Sequence, residues 1–299
     1  MSPDDSPDAL EDLLDLLDLE RIEEDIFRGP SRSAIVPRVF GGQVAAQALV
    51  AAGRTVAADR TAHSLHAYFL RAGDPDAPIV YTVDRIRDGR SFTSRRVVAI
   101  QHGQPIFHLS ASFHTDEDGL EHQSEMPAVP DPETLPTAAE SLPEYAGVVG
   151  QGVVDRLLKA RAAVDLRYVD TPPYGSVGER REPRSRVWFR TAGKLTDDPL
   201  LHLCLATYVS DMTLLDPVLL AHGRGGWMTG DVVGASLDHA MWFHRPFRAD
   251  EWLLYDQMSP TSHGGRGLGQ ARIFTRDGRL AVSVVQEGVI RVPHEPHDD

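Results

Sequence analysis

The side chains able to do chemistry are few enough to weigh one at a time. Asp238-His239 sets an acid beside an imidazole, the pairing that general acid–base catalysis uses. On an alternating strand the two point to opposite faces, so they cannot act together on one substrate and a structural role is expected. Ser236 lies in Gly234-Ala235-Ser236-Leu237-Asp238, which opens like a nucleophile elbow but lacks the final glycine, with no alternating strand–helix pattern around it. Cys204, the single cysteine, sits between Leu203 and Leu205 and reads as a buried small hydrophobe. One cysteine excludes an intramolecular disulfide framework and a multi-cysteine zinc site. His63 and His66, His102, His108 and His114, and the tail pair His294 and His297 come with no convergent carboxylates, so no metal site is expected. Gly223-Arg224-Gly225-Gly226 lies in a connecting loop and cannot serve as a phosphate cradle that follows a strand and opens a helix. Gln286 is the most informative single residue: its amide interrupts an apolar strand run and requires buried partners.

These residues need elements to position them, and the elements repeat. Pro127, Pro130, Pro132, Pro136 and Pro143 crowd a linker that divides the 299 residues nearly in half, and Pro172, Pro173 and Pro183 mark what reads as an exposed loop. In the first half an Ala/Gly-rich helical segment, Gly41 to Ala57, precedes a strand beginning Ser64-Leu65-His66-Ala67-Tyr68-Phe69. In the second, Leu200 to Ser210 reads as a helix, with Asp197 or Asp198 as N-cap and Pro199 in the first turn, ahead of Ser236-Leu237-Asp238-His239-Ala240-Met241-Trp242-Phe243. Phe69 and Gly103 are 34 residues apart, Phe243 and Gly278 are 35 apart, and each glycine leads into a final apolar strand. Turns such as Asp88-Gly89 and Asp277-Gly278 suit antiparallel hairpins. A helix apolar nearly all round must be buried. Each half therefore reads as a long helix wrapped by a curved antiparallel sheet, an α+β hotdog, and the chain as a tandem double hotdog. The expected domains are an N-terminal hotdog over 9–126, a Pro-rich linker over 127–150 and a C-terminal hotdog over 151–293. The repeat sets Gln286 on Ala111, Ser236 on Ser64 and His239 on His66, so the first half is expected to keep the hydroxyl and lack the amide.

Composition narrows the partners. Forty-four acids against 30 bases give a net charge of −14, which argues against nucleic acid or an anionic membrane as a partner. The acidity is concentrated: residues 1–26 hold eleven acids and one base, and residues 295–299 three acids more. The first eight residues read as disordered. Leu10, Leu13, Leu14 and Leu17 then form one face of an amphipathic helix. No apolar run is long enough for a transmembrane helix, no secretory leader opens the chain and no Ser-Lys-Leu address closes it, so a cytoplasmic protein is expected.

Longer motifs carry a resemblance. Val39-Phe40-Gly41-Gly42-Gln43, Phe69-Leu70-Arg71-Ala72-Gly73-Asp74, Arg87-Asp88-Gly89-Arg90-Ser91-Phe92, Ser94-Arg95-Arg96-Val97, Leu237-Asp238-His239-Ala240-Met241-Trp242-Phe243-His244-Arg245-Pro246-Phe247 and Val285-Gln286-Glu287-Gly288 occur in order. In them the chain resembles the type II acyl-CoA thioesterases, a double hotdog family. The resemblance implies hydrolysis of fatty acyl-CoA to free acid and coenzyme A, without cofactor or metal, by a homo-oligomer (dimer or tetramer). It implies three catalytic side chains: Asp211 as general base, with Ser236 and Gln286 orienting the water. Thioester hydrolysis asks for such groups, together with donors for the developing oxyanion. Coenzyme A phosphates call for arginine, and Arg71, Arg95, Arg96, Arg245, Arg266 and Arg291 are candidates in a chain where only Lys159 and Lys194 are lysine. Two other readings stay open. One is a hotdog enoyl-CoA hydratase-like enzyme, faintly suggested by Asp197-Asp198-Pro199-Leu200-Leu201-His202; the other is a non-catalytic acyl-CoA binding or sensing protein.

Overall fold

The computed structural model describes residues 6–31 and 38–293. The acidic ends fall partly outside this range: residues 1–5 and the 295–299 tail lie outside it, as do His294 and His297. Helix α1 (Ser6–Leu17) begins inside the stretch read as disordered. Its leucines explain why: Leu10, Leu13, Leu16 and Leu17 are buried, with Leu14 partly so. The acidic side chains are left on the other face, so the helix docks while its charges stay in water.

The alternating runs form one antiparallel sheet of 13 strands among the described residues. They are β1 (Glu20–Glu23), β2 (Ile26–Gly29), β3 (Thr61–Phe69), β4 (Ile79–Asp88), β5 (Phe92–Gln101), β6 (Gln104–His114), β7 (Val164–Tyr168), β8 (Arg184–Thr191), β9 (Val233–Ser236), β10 (Asp238–Phe243), β11 (Leu253–His263), β12 (Arg266–Thr275) and β13 (Leu280–Arg291). The order is β1-β2-β4-β5-β6-β3-β10-β13-β12-β11-β8-β7, with β9 paired to β13. The two halves join where β3 meets β10, with His66 opposite Ala240. The structure is thus two hotdog halves sharing a single sheet. At the β5–β6 turn His102 and Gly103 both take positive φ, 50° and 72°, the backbone that a two-residue hairpin requires.

Two buried helices fill the inside. Helix α2 (Gly41–Gly53) is buried from Gly42 to Ala52, ending four residues before the expected Ala57. Short helices α3 (Ala138–Ser141) and α4 (Ala146–Val149) lead into α5 (Gln151–Ala160). Helix α6 (Pro199–Ser210) starts as expected, with Asp198 accepting from the Leu200 N–H at 3.0 Å. Helix α7 (Asp216–His222) follows.

Helices α2 and α6 run antiparallel in close contact because α2 carries glycine at both ends. A Cβ at Gly53 would fall 2.5 Å from Leu200 Cδ2, and one at Gly42 would collide with the Tyr208 carbonyl oxygen. The start of α2 thereby meets the end of α6.

One expectation about irregular chain needs correction. The Pro172–Pro173 segment is not an exposed loop: both prolines, Tyr174 and Ser176 are buried, and Tyr174 packs with Leu142, Val149, Val154 and Leu157. The proline-rich stretch after β6 is strapped to the second half. Trp188 Nε1 donates to Pro130 O at 3.0 Å, Arg276 pairs with Glu133 at 2.7 Å, and Met126, Val129 and Leu135 cover Trp188, Trp252, Leu254 and Phe274.

Gly42→Ala is expected to destabilise the fold by about 1–3 kcal/mol, because an extra methyl in a filled contact forces helix α2 from α6. An unchanged denaturant midpoint would show that the contact can relax.

Candidate active site

Asp211 is the C-cap of α6, where Tyr255 supports the chain by donating its hydroxyl to Ser210 O at 2.9 Å. Its carboxylate faces the first turn of α2, and a Cβ at Gly41 would lie 2.7 Å from Oδ2. Ser236, the last residue of β9, donates its hydroxyl to Asp211 Oδ1 at 2.9 Å. Gln286, in β13, donates Nε2–H to the same oxygen at 2.7 Å. The three residues expected from the sequence therefore converge, drawn from a helix end and two paired strands.

A fourth group completes the cluster. His239 Nδ1 lies 3.2 Å from Gln286 Oε1, and its Nε2 lies 2.8 Å from Ser210 Oγ. Burial lowers its pKa, against the opposing pull of Asp211, so the ring is neutral at neutral pH. A neutral imidazole has one N–H. Gln286 turns its donor to the carboxylate, so its oxygen faces His239 and the ring proton is assigned to Nδ1. The bonds toward the carboxylate then run in one direction, His239 to Gln286 and Gln286 to Asp211, with the Ser210 hydroxyl placed between His239 Nε2 and Thr207 O, 2.8 and 2.9 Å away. Asp238 turns away, as alternation required, and accepts the Glu287 N–H at 2.7 Å.

Burial raises the Asp211 pKa. The Gln286 amide, the Ser236 hydroxyl and the Gly42 N–H pull it back toward the charged form. The N-terminus of α2 adds its positive end, which favours an anion there.

Asp211, Ser236 and Gly41 line a cleft of about 400 Å³ whose walls are largely apolar, including Phe40, Phe69, Tyr208 and Trp227. Gln286 is fully buried behind the wall, so it holds the carboxylate while Asp211 and Ser236 face the open space. Of the six arginines offered for phosphates, Arg71 lines the cleft. Arg95 is buried against Thr55 and Asp88, Arg96 pairs with Asp84 and Arg266 with Glu287. Arg38 and Arg161 line the cleft too, and sequence reasoning missed both. Arg38 adjoins the Val39–Gln43 motif, a signal that could have found it; Arg161 had none.

Strand register corrects two pairings between the halves. Leu65 lies opposite Ala111, and the equivalent positions in β10 and β13 are His239 and Gln286; His239 thus corresponds to Leu65, not His66. His66 is exposed and packs edge-on against Trp242 at 5.2 Å. Ser236 lies opposite Gly288 as Ala62 lies opposite Phe113, so Ser236 corresponds to Ala62 rather than Ser64. The first half therefore lacks the hydroxyl as well as the amide. Cys204 is buried with its thiol pKa raised by burial, as expected of a core residue. The hydratase-like string begins α6, where His202 accepts the Ala249 N–H at 3.0 Å. At 1.5 Å per residue, that is most of the 12-residue helix, on the order of 15 Å, away from Asp211.

The model of the acyl-CoA thioesterase family matches residues 159–289, and that of the acyl-CoA thioesterase N-terminal domain matches residues 30–114. Human acyl-coenzyme A thioesterase 8 is 42% identical over 284 residues, covering 93% of this chain and 88% of that protein. Acyl-CoA thioesterase 2 of Haemophilus influenzae is 40% identical, covering 95% and 98%. The crystal structure of acyl-CoA thioesterase II TesB2 from Mycobacterium marinum superposes with a TM-score of 0.76 at 44% identity, covering 93% of this chain and 98% of that one.

A carboxyl whose folded pKa is raised above its unfolded value costs stability when ionised; the cost shrinks as pH falls below the folded pKa and is gone below the unfolded one. Asp211→Asn is expected to melt above the wild type at neutral pH, with the gap closing toward acid. A variant that melts lower at neutral pH would show that the hydrogen bonds to the charged form outweigh its burial.

Proposed function

The chain belongs to the acyl-CoA thioesterase family, and we propose that it hydrolyses fatty acyl-CoA with a water activated by Asp211 and oriented by Ser236, while Gln286 holds the carboxylate from behind. The observation that carries this reading is a buried carboxylate held from three sides yet open to an apolar cleft. Ser236 gives its proton to Asp211 and keeps lone pairs for the water. The water donates one hydrogen to Ser236 Oγ and the other to the carboxylate, which leaves its lone pair for the thioester carbon. Attack moves one water proton to Asp211 and builds negative charge on the carbonyl oxygen. The donor for that charge is the Gly41 N–H at the start of α2: Phe40, the N-cap, makes no side-chain cap, Gly41 lines the cleft, and the Gly42 N–H is engaged by Asp211. The C–S bond then breaks and Asp211 returns the proton to the leaving thiolate. A thiolate leaves readily enough that no covalent acyl-enzyme is required.

The coenzyme stays at the open mouth. Arg71 is exposed there and donates to Pro105 O at 2.7 Å, and Arg38 donates to Gly234 O at 2.8 Å; neither forms an ion pair among the described residues. Both guanidiniums keep donors for phosphate oxygens, a role suited to arginine's planar fork.

Asp211→Asn is expected to lower kcat by about 10²–10⁴-fold, the range of general-base losses, in a protein that still folds. Thiol release from octanoyl-CoA measures it, and wild-type turnover in the variant would overturn the assignment. Arg71→Ala is expected to raise KM for octanoyl-CoA about tenfold, roughly one charged hydrogen bond. It should leave the octanoyl thioester of N-acetylcysteamine, which lacks the phosphates, unaffected. Equal losses on both substrates would remove Arg71 from the phosphate site.

A further inference from the structure

The second half places a charge on the cleft wall that hydrolysis does not use. Arg161, the C-cap of α5, is 9% exposed and lines the cleft beside Ala160, Met212 and Leu215. Its guanidinium carbon lies 5.9 Å from the centre of the Tyr168 ring, and the Tyr174 hydroxyl is its polar neighbour. Among the described residues, no carboxylate comes within 4.0 Å of it. Asp216, the carboxylate that most affects it, already accepts the Tyr168 hydroxyl at 2.9 Å, and burial pushes its pKa up to about 7. Burial thus favours its neutral form, and the geometry gives the guanidinium no direct carboxylate partner among the described residues.

A guanidinium carries five N–H donors. Taking such an ion out of water costs several kcal/mol unless acceptors replace the lost water, and buried donors nearly always find one. Tyr174 can serve at most part of the fork. The remaining donors belong to a side chain that forms the wall of the substrate cleft. On the proposed function the polyanionic coenzyme stays at the exposed Arg71 mouth, and on that reading the group that reaches Arg161 is the acyl chain. A plain alkyl chain would cover these donors and leave them without partners, whereas an oxygen on that chain would satisfy them.

We propose that Arg161 selects acyl-CoA substrates whose acyl chain carries an acceptor oxygen (hydroxyl, oxo or carboxylate) at a distance from the thioester set by the cleft. The proposal rests on the hydrolytic reading above. It adds a specificity determinant, contributed by a residue that does not touch the reacting atoms.

The test compares kcat/KM, by thiol release, for hexanoyl-, octanoyl- and decanoyl-CoA with partners of equal length bearing a terminal hydroxyl, a penultimate oxo group or a terminal carboxylate. At one chain length the wild-type enzyme is expected to prefer an oxygenated partner by at least about tenfold, the equivalent of 1.4 kcal/mol. Arg161→Met and Arg161→Gln are expected to bring that ratio close to one. A preference confined to the carboxylate identifies an anion site, and one shared with the oxo or hydroxyl partners identifies a neutral acceptor site; both support the proposal. A wild-type ratio at or below one at every length overturns it without needing any variant to fold, as does a ratio the variants leave unchanged. Either result leaves Asp211 as the base, since that assignment is tested on the plain chain alone. Absence of thiol release from every substrate would instead overturn the hydrolytic reading, and this proposal with it.

Discussion

The contact on which the rest depends is the meeting of two helix ends. The amino end of α2 abuts the carboxyl end of α6, close enough that neither Gly41 nor Gly42 can bear a side chain in place. A helix start presents unpaired N–H groups and partial positive charge, and a helix finish offers a place to mount a side chain beyond the last turn. Putting Asp211 at that junction keeps a buried carboxylate charged without a cationic partner. A full counter-charge would stabilise the anion so well that it became a poor base; dipoles and hydrogen bonds hold it while leaving it basic. Gln286, Ser236 and His239 serve the same end from the sheet side. The carboxylate repels the Gln286 oxygen and so fixes the amide, which in turn fixes the His239 tautomer.

The two halves use equivalent space differently. Opposite Gln286 stands Gly269, where a Cβ would collide with the Leu214 carbonyl, so the chain after α6 can press against the sheet. Opposite Ala111, the matching position in the first half, stands Arg95. It is 2% exposed and bonded to Thr55, just past the end of α2, and to Asp88. One half opens a functional corner with a missing side chain, and the other fills it with a large one. Arg95 was attractive in sequence as a phosphate ligand because arginine suits phosphate. Its burial shows the other use of the same planar fork, to close a gap between backbone carbonyls and a hydroxyl.

Much of this was legible beforehand, and the failures have physical causes. The buried helices could be read because an apolar circumference has no stable place at a surface, and Gln286 because an amide in an apolar strand requires partners. Pairings between the halves could not be read by matching letters. Ser64 and Ser236 share a residue type, but β3 has a bulge between Ala62 and Ser64, while β9 and β10 break at Leu237, so the ladders count differently. The Pro172–Pro173 segment misled because proline signals the end of regular structure and says nothing about burial. Arg161 was invisible for a simpler reason: in a chain whose bases are nearly all arginine, position in the sequence does not separate a cleft wall from a solvated surface.

The helix junction also bears on how such a protein can change over generations. The base belongs to the second half and the amides that face it belong to the first, so neither half owns the reaction. In a pair of identical single-hotdog chains, any substitution that plugged one site would plug both at once. Covalent linkage removes that symmetry: Arg95 can close one corner while its counterpart stays open, and the closed half still supplies the helix start that faces the base. A tether of this kind halves the number of sites per pair of folds, and in return lets each fold accumulate its own substitutions.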